Sequence, residues 1–130
     1  AFLFFSFAQK EHVFDYDKKT GEFKVDNQTV FVIEKRKHEA VPTASNFYFN
    51  NTNGKHLLFA VYRVGSPSKG DFFEITFVGL DDSKCEIRYF VSVTQLAKFI
   101  YEKKLITNGE LDPAEVKSFV MENGNTYSAK

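Results

Sequence analysis

The chain has 130 residues, with 17 lysines plus arginines against 17 aspartates plus glutamates, so its formal net charge is zero. A neutral chain lacks the cationic excess by which dedicated nucleic-acid binders displace phosphate counterions, so we expect no nucleic-acid partner. A single cysteine excludes an intrachain disulfide framework and a cysteine-rich zinc site, and an apolar fraction of 43% is too high for a disordered chain.

The first eight residues carry no charge and contain four of the sixteen phenylalanines. This run is too short to span a bilayer, which needs roughly 20 apolar residues, so we expect no transmembrane segment there. Ser6 and Ala8 place small side chains three and one positions before Gln9, which is typical of the end of a secretory signal peptide. We therefore interpret residues 1–8 as a signal-peptide remnant and expect export to the periplasm or the extracellular space. A buried N-terminal strand is the alternative.

Apolar and polar residues alternate with period two from Val13 to about Val91, and this predicts about seven short strands in series. Turns are predicted at 18–21, 26–28, 51–54 and 80–84, and a longer connection at 65–70, where glycine, asparagine or aspartate tolerates turn geometry. The Asn-Gly pair at the end of 51–54 is the strongest hairpin signal among them.

The charged run 34–39 admits two interpretations. It could form a patch for an anionic ligand, or it could be a strand end followed by a solvated loop. We favour the second, because acidic residues at both edges dilute the positive field.

A helical period follows the strands. Leu96, Phe99 and Ile100 have the spacing of one helix face, which predicts a helix from Thr94 to about 105, with Asn108-Gly109 as its end. A second helix is predicted from a cap, a first-turn proline and a capping-box glutamate, namely Asp112, Pro113 and Glu115, and it ends at 123–124.

Strands in series that are followed by helices indicate an α+β domain over residues 9–130. We predict an antiparallel meander of about seven strands, strongly curved or forming a partly open barrel, with two short C-terminal helices.

Consecutive aromatic residues occur at two places and put rings on both faces of the predicted sheet. Either both faces are covered, or one face lines a ligand cavity or a partner surface. In the second case, the ligand cavity or partner surface is formed by Phe47, Tyr48, Phe49, Phe72 and Phe73.

No residue pattern in the sequence predicts a metal or a cofactor. The three histidines lack the spacing of a metal-binding pair. Residues 15–21 contain aspartates like those of a calcium-binding loop, but Lys19 stands at a ligand position, where its positive charge would oppose the ion. Cys85 alternates with apolar residues and is predicted to be a buried, inert thiol, while Asp81 and Asp82 are predicted to form a turn. No catalytic residue is predicted.

Three segments, Ser6 to Gln9, Thr20 to Asp26 and Leu105 to Asp112, resemble small exported bacterial proteins of unassigned function. This resemblance implies no activity. We therefore expect an exported, non-catalytic binding or interaction module for a small molecule, a peptide or an envelope protein. The alternatives are a small enzyme, or an accessory domain of one, that uses dispersed carboxylates, and a structural envelope component.

Overall fold

The computed structural model describes residues 11–81 and 83–128, so the predicted signal-peptide remnant 1–8 lies outside the described residues. The main sheet consists of seven strands: β1 (Phe14–Tyr16), β2 (Glu22–Val25), β3 (Gln28–Lys37), β4 (Ser45–Asn50), β5 (His56–Arg63), β6 (Phe72–Phe77) and β7 (Lys84–Arg88). The chain continues through α1 (Val93–Glu102), β8 (Ile106–Thr107), β9 (Glu110–Leu111) and α2 (Pro113–Asn123).

The seven strands follow one another across the sheet in chain order, and every neighbouring pair is antiparallel. The predicted α+β class, the meander and the two C-terminal helices are therefore confirmed. Within the described residues the sheet is curved but does not close into a barrel, because β1 and β7 do not pair with each other. Among the described residues, no helix is long and apolar enough to cross a membrane.

The core lies between one face of the sheet and the two helices. Phenylalanine rings on β2, β3 and β4 stack across the strands, with centroids 5.0 Å apart between Phe23 and Phe31 and 5.1 Å apart between Phe31 and Phe49. Helix residues cover this face from the other side, and those that are fully or almost fully buried are Leu96, Ala97, Ile100, Val116 and Phe119. Burial of these large rings supplies much of the hydrophobic stabilisation.

The turn between β1 and β2 requires a glycine. Gly21 has a φ of +80°, and a Cβ at this position would lie 2.2 Å from the carbonyl oxygen of Ile33. The backbones of the turn and of β3 approach each other here, since the Ile33 nitrogen donates to the Gly21 oxygen at 2.7 Å. The glycine therefore sets the position of this turn beside the middle of β3.

The charged residues 34–37 form the end of β3, which stays in register with β4 as far as Lys37, and a loop follows from residue 38, as expected. The expected end of the first helix was wrong. Helix α1 ends at Glu102, since Lys104 adopts a φ of +59°. The pair Asn108 and Gly109, with φ values of +53° and +75°, forms the two-residue turn between β8 and β9 instead of ending the helix.

Candidate functional site

The five aromatic residues of the predicted ligand or partner surface are divided between the two faces of the sheet. Phe47, Phe49 and Phe73 belong to the core, with exposed fractions of 7%, 0% and 1%. Their rings pack against other core residues, as in the contact of Phe47 with Phe73 at 6.1 Å between centroids. These three rings therefore contribute to stability rather than to a surface.

Tyr48 lies on the opposite face, which we call the outer face, and it is half-buried. Its ring centroid is 4.4 Å from that of Phe59 and 5.5 Å from that of His56. The guanidinium carbon of Arg36 stands 4.3 Å from the Tyr48 centroid, in a cation–π arrangement. Tyr48 is thus the centre of an aromatic cluster that retains accessible surface.

Phe72 is also on the outer face, but it is buried because the C-terminal tail covers it. The ring of Tyr127 stacks on Phe72 with centroids 5.6 Å apart and an interplanar angle of 13°. This tail forms no strand within the described residues and instead crosses the sheet face.

A cleft of about 850 Å³ opens at the end of the sheet where six separate segments meet. Its walls come from His12 before β1, the start of β3, the β4–β5 turn, the last turn of α1, the β8–β9 hairpin and the first turn of α2. We call it the polar cleft, and its representative wall residues are Gln28, Asn53, Tyr101, Glu102, Thr107 and Glu115.

Asn51 joins two of these segments. Its side-chain nitrogen Nδ2 donates to the carbonyl oxygen of Gly109 at 3.1 Å, and its Oδ1 accepts from the backbone nitrogens of Asn53 and Lys55, both at 2.9 Å. Asn51 is only 6% exposed, so its side-chain amide has lost most of its contact with water. These three hydrogen bonds satisfy the amide in place of water. An ion pair between Lys55 Nζ and Glu110 Oε1 at 2.6 Å ties the same hairpins together at the surface.

The walls of the polar cleft carry more negative than positive charge. Four carboxylates line it, from Glu102, Glu110, Asp112 and Glu115, against the single lysine Lys104. Asp112 is committed to capping α2, because its Oδ1 accepts from the backbone nitrogens of Ala114 and Glu115. Glu110 is ion-paired with Lys55, so Glu102 and Glu115, together with amides and hydroxyls, offer acceptors and donors to a polar molecule.

Cys85 and Asp81, which the sequence predicts to be an inert thiol and a turn residue, do not line this cleft. Cys85 is fully buried in the core, and burial raises the pKa of its thiol to about 12. Asp81 is exposed in the β6–β7 turn, and Asp82 lies outside the described residues. Within 11–81 and 83–128, no group of three or more histidines, cysteines, aspartates or glutamates is placed to hold a metal ion.

No family model, curated protein or solved structure matches this chain. The fold defines a small α+β protein with a seven-stranded antiparallel meander. Sequence reasoning missed the polar cleft, although it recognised one of the two Asn-Gly turns beside it as a hairpin. The Asn108-Gly109 pair is also a hairpin signal, and with that interpretation the sequence would have predicted the β8–β9 hairpin that forms one wall of the cleft.

Proposed function

We propose that the protein is an exported, non-catalytic binding module that takes a small polar molecule into the polar cleft. The observation that carries this proposal is the convergence of six chain segments on one concavity lined by amides, hydroxyls and carboxylates. Its volume of about 850 Å³ lies within the range of small-molecule sites, which is roughly 300–1,000 Å³.

The charge of the walls supports a neutral or cationic ligand that is rich in hydrogen-bond donors. Carboxylate oxygens of Glu102 and Glu115 can only accept hydrogen bonds, so they favour hydroxyl or ammonium groups. An anionic ligand would meet like charge there and would be disfavoured. The Tyr101 ring adds an apolar surface for the carbon skeleton of such a molecule.

Export rests on Ser6, Ala8 and the uncharged run before Gln9. Intact-mass measurement of the protein from its native source tests it. A mature chain that begins at Gln9 supports export, whereas a chain that retains residues 1–8 contradicts the assignment of these residues to a signal peptide.

A thermal-shift screen of sugars, amines, amino acids and peptides tests the ligand site, because a molecule that binds only the folded state raises Tm. The hits are then measured against Glu102→Gln, Glu115→Gln and the matched control Glu122→Gln. Glu122 is exposed on α2, the same helix as Glu115, and it does not line the cleft.

We expect the two cleft variants to weaken binding about two- to tenfold and the control to leave it unchanged, in line with the loss of one charged hydrogen-bond acceptor. Equal effects of all three variants would contradict the site. Mass spectrometry of the recovered ligand separates binding from catalysis: an intact ligand supports a binding module, and a converted one supports the enzyme alternative.

A second candidate is a partner surface on the outer face, centred on Tyr48. It is favoured by the half-buried cluster of Tyr48, Phe59 and Arg36, since interfaces are enriched in aromatic residues and arginine. A photo-crosslinking residue at position 48, compared with one at position 122, tests it in the native host. A protein crosslinked at 48 alone supports the surface, and crosslinking at neither position or equally at both contradicts it.

A further inference from the structure

One histidine lies on the wall of the polar cleft. His12 precedes β1, and its Nδ1 is 2.7 Å from Oδ2 of Asp26 in the β2–β3 turn. A carboxylate can only accept hydrogen bonds, so the proton of the neutral imidazole lies on Nδ1. The other ring nitrogen, Nε2, is then a hydrogen-bond acceptor on the opposite edge of the ring.

The carboxylate that orients His12 is itself held in place by the neighbouring backbone. Oδ1 of Asp26 accepts from the backbone nitrogen of Val13 at 2.9 Å, and the Asp26 backbone nitrogen donates to the Val13 oxygen at 2.8 Å. Both oxygens of the carboxylate therefore contact the segment that carries His12. Asp26 fixes the position of the imidazole from one edge.

Two aromatic rings support the imidazole from another side. The His12 centroid lies 6.0 Å from that of Phe14 at an interplanar angle of 64°, and 5.8 Å from that of Tyr101 at 86°. Phe14 and Tyr101 also contact each other, with centroids 5.8 Å apart. The three rings form one edge-to-face cluster, which limits the rotation of the imidazole.

The acceptor nitrogen of His12 is available to a ligand. Nε2 makes no hydrogen bond to any residue within 11–81 and 83–128, and the side chain is 50% exposed. The same cleft is lined by the carboxylates of Glu102 and Glu115. The cleft thus combines a neutral acceptor at His12 with charged acceptors on the two helices.

We infer that the ligand of the polar cleft donates a hydrogen bond from a primary ammonium or hydroxyl group to Nε2 of His12, and that Asp26 is the residue that positions this imidazole. The inference rests on the proposed function, because it specifies the chemistry of the ligand in the same cleft. A quaternary ammonium ion carries the favoured charge but no N–H donor. The cleft should therefore discriminate against it.

The tautomer of His12 is the first test, and it needs no ligand. Long-range ¹H–¹⁵N NMR of the full chain at about pH 8.5, above the range in which histidine ordinarily titrates, shows which ring nitrogen carries the proton. We expect the Nδ1–H form for His12. Asp26→Ala should shift it towards the Nε2–H form, and an Nε2–H form in the unaltered chain would overturn the inference.

His38 is the internal reference in the same spectrum. Its Nδ1 accepts hydrogen bonds from the backbone nitrogens of Ala40 and Val41, both at 3.0 Å, so the proton of its neutral ring must be on Nε2. The two histidines should therefore show opposite tautomers.

The second test compares two cations of equal charge, ethanolamine and tetramethylammonium, in NMR titrations of the full chain at constant ionic strength. Ethanolamine carries both kinds of donor, whereas tetramethylammonium carries none, so we expect ethanolamine to bind more tightly. His12→Phe keeps a ring in the aromatic cluster but removes both nitrogens. It should weaken ethanolamine binding about two- to tenfold and leave tetramethylammonium binding unchanged. His56→Phe is the matched control, because His56 is exposed and does not line the cleft.

Equal binding of the two cations, or equal effects of His12→Phe and His56→Phe on ethanolamine, would overturn the inference. Glu115→Gln separates this result from a failure of the proposed function. If Glu115→Gln weakens binding and His12→Phe does not, the cleft binds ligands and only the role of His12 is wrong. If neither cation shifts the amide signals of the cleft, the inference is overturned, and the thermal-shift screen tests the proposed function independently.

Discussion

Glu86 holds the backbone of Tyr127 and thereby fixes the C-terminal tail on the outer face. Its Oε1 accepts hydrogen bonds from the backbone nitrogens of Tyr127 at 2.9 Å and Ser128 at 2.8 Å, although Glu86 itself is only 6% exposed. The tail in turn places the Tyr127 ring over Phe72. A buried carboxylate is tolerated here because backbone donors replace the water that it has lost.

The first prediction is that this tail contact depends on pH. Burial alone would raise the pKa of Glu86, but the hydrogen bonds from Ser128 and Tyr127 outweigh burial and lower it below the ordinary value of 4.5. The carboxylate therefore stabilises the fold above pH 4.5, and this contribution is lost as the pH falls through the lower pKa of the folded state.

Urea unfolding of Glu86→Gln measures this contribution. We expect the variant to lower the free energy of unfolding by about 1–2 kcal/mol near neutral pH, and the difference should shrink as Glu86 is protonated. Glu122→Gln, at an exposed position of α2, should change little at either pH. A loss of the same size in acid and at neutral pH would contradict the role of the carboxylate charge.

The second prediction concerns Asn51, which joins the β4–β5 turn to the β8–β9 hairpin. Asn51→Ala removes three hydrogen bonds from a buried position and should destabilise the protein by about 1–3 kcal/mol, measured by denaturant unfolding. Hydrogen exchange should accelerate at the backbone nitrogens of Asn53 and Lys55, which lose their acceptor. The matched control is Asn53→Ala in the same turn. Because the Asn53 side chain is exposed, this variant should change the free energy of unfolding by less than about 0.5 kcal/mol.

The third prediction concerns the reactivity of Cys85. The thiolate is the reactive form, and burial holds the pKa of this thiol at about 12, so iodoacetamide should modify it only after unfolding. Mass spectrometry across a urea series measures this, and rapid modification without urea would contradict it. Cys85→Ser should destabilise more than Cys85→Ala, because the hydroxyl would be buried among apolar residues.

The fourth prediction concerns the pair formed by Tyr62 and Asp71. The Tyr62 hydroxyl donates to Asp71 Oδ2, and this hydrogen bond is the main cause that raises the pKa of Tyr62 to about 12. The same bond lowers the pKa of Asp71. The contact therefore persists below pH 10 and is lost as the pH rises through about 12.

Asp71→Asn should bring the pKa of Tyr62 back towards 10.0, as followed by ultraviolet titration of the tyrosines. Asp81→Asn changes an exposed turn aspartate and should leave the titration unaltered. If the pKa of Tyr62 stays near 12 in Asp71→Asn, the hydrogen bond to Asp71 is not the cause of the raised pKa.

The elements that could be predicted from the sequence are those defined by neighbouring residues. Asp112, Pro113 and Glu115 define the start of α2 locally, and the structure confirms that Asp112 caps this helix. The turn at 51–54 is likewise a local property, and Gly54 has the positive φ that the Asn-Gly signal predicts. Period-two alternation was enough to identify the meander, because each strand buries one face.

What only the tertiary structure decided is which surfaces meet. The Asn51 side chain reaches Gly109 across 58 residues of sequence, and Tyr127 reaches Glu86 across 41. No local sequence pattern encodes contacts between residues so far apart in the chain. The polar cleft and the packing of the C-terminal tail on Phe72 therefore could not be predicted. The sequence by itself determined that aromatic rings occupy both faces of the sheet. The packing of helices on one face and of the tail on the other decided that Phe47, Phe49, Phe72 and Phe73 are buried while Tyr48 keeps accessible surface.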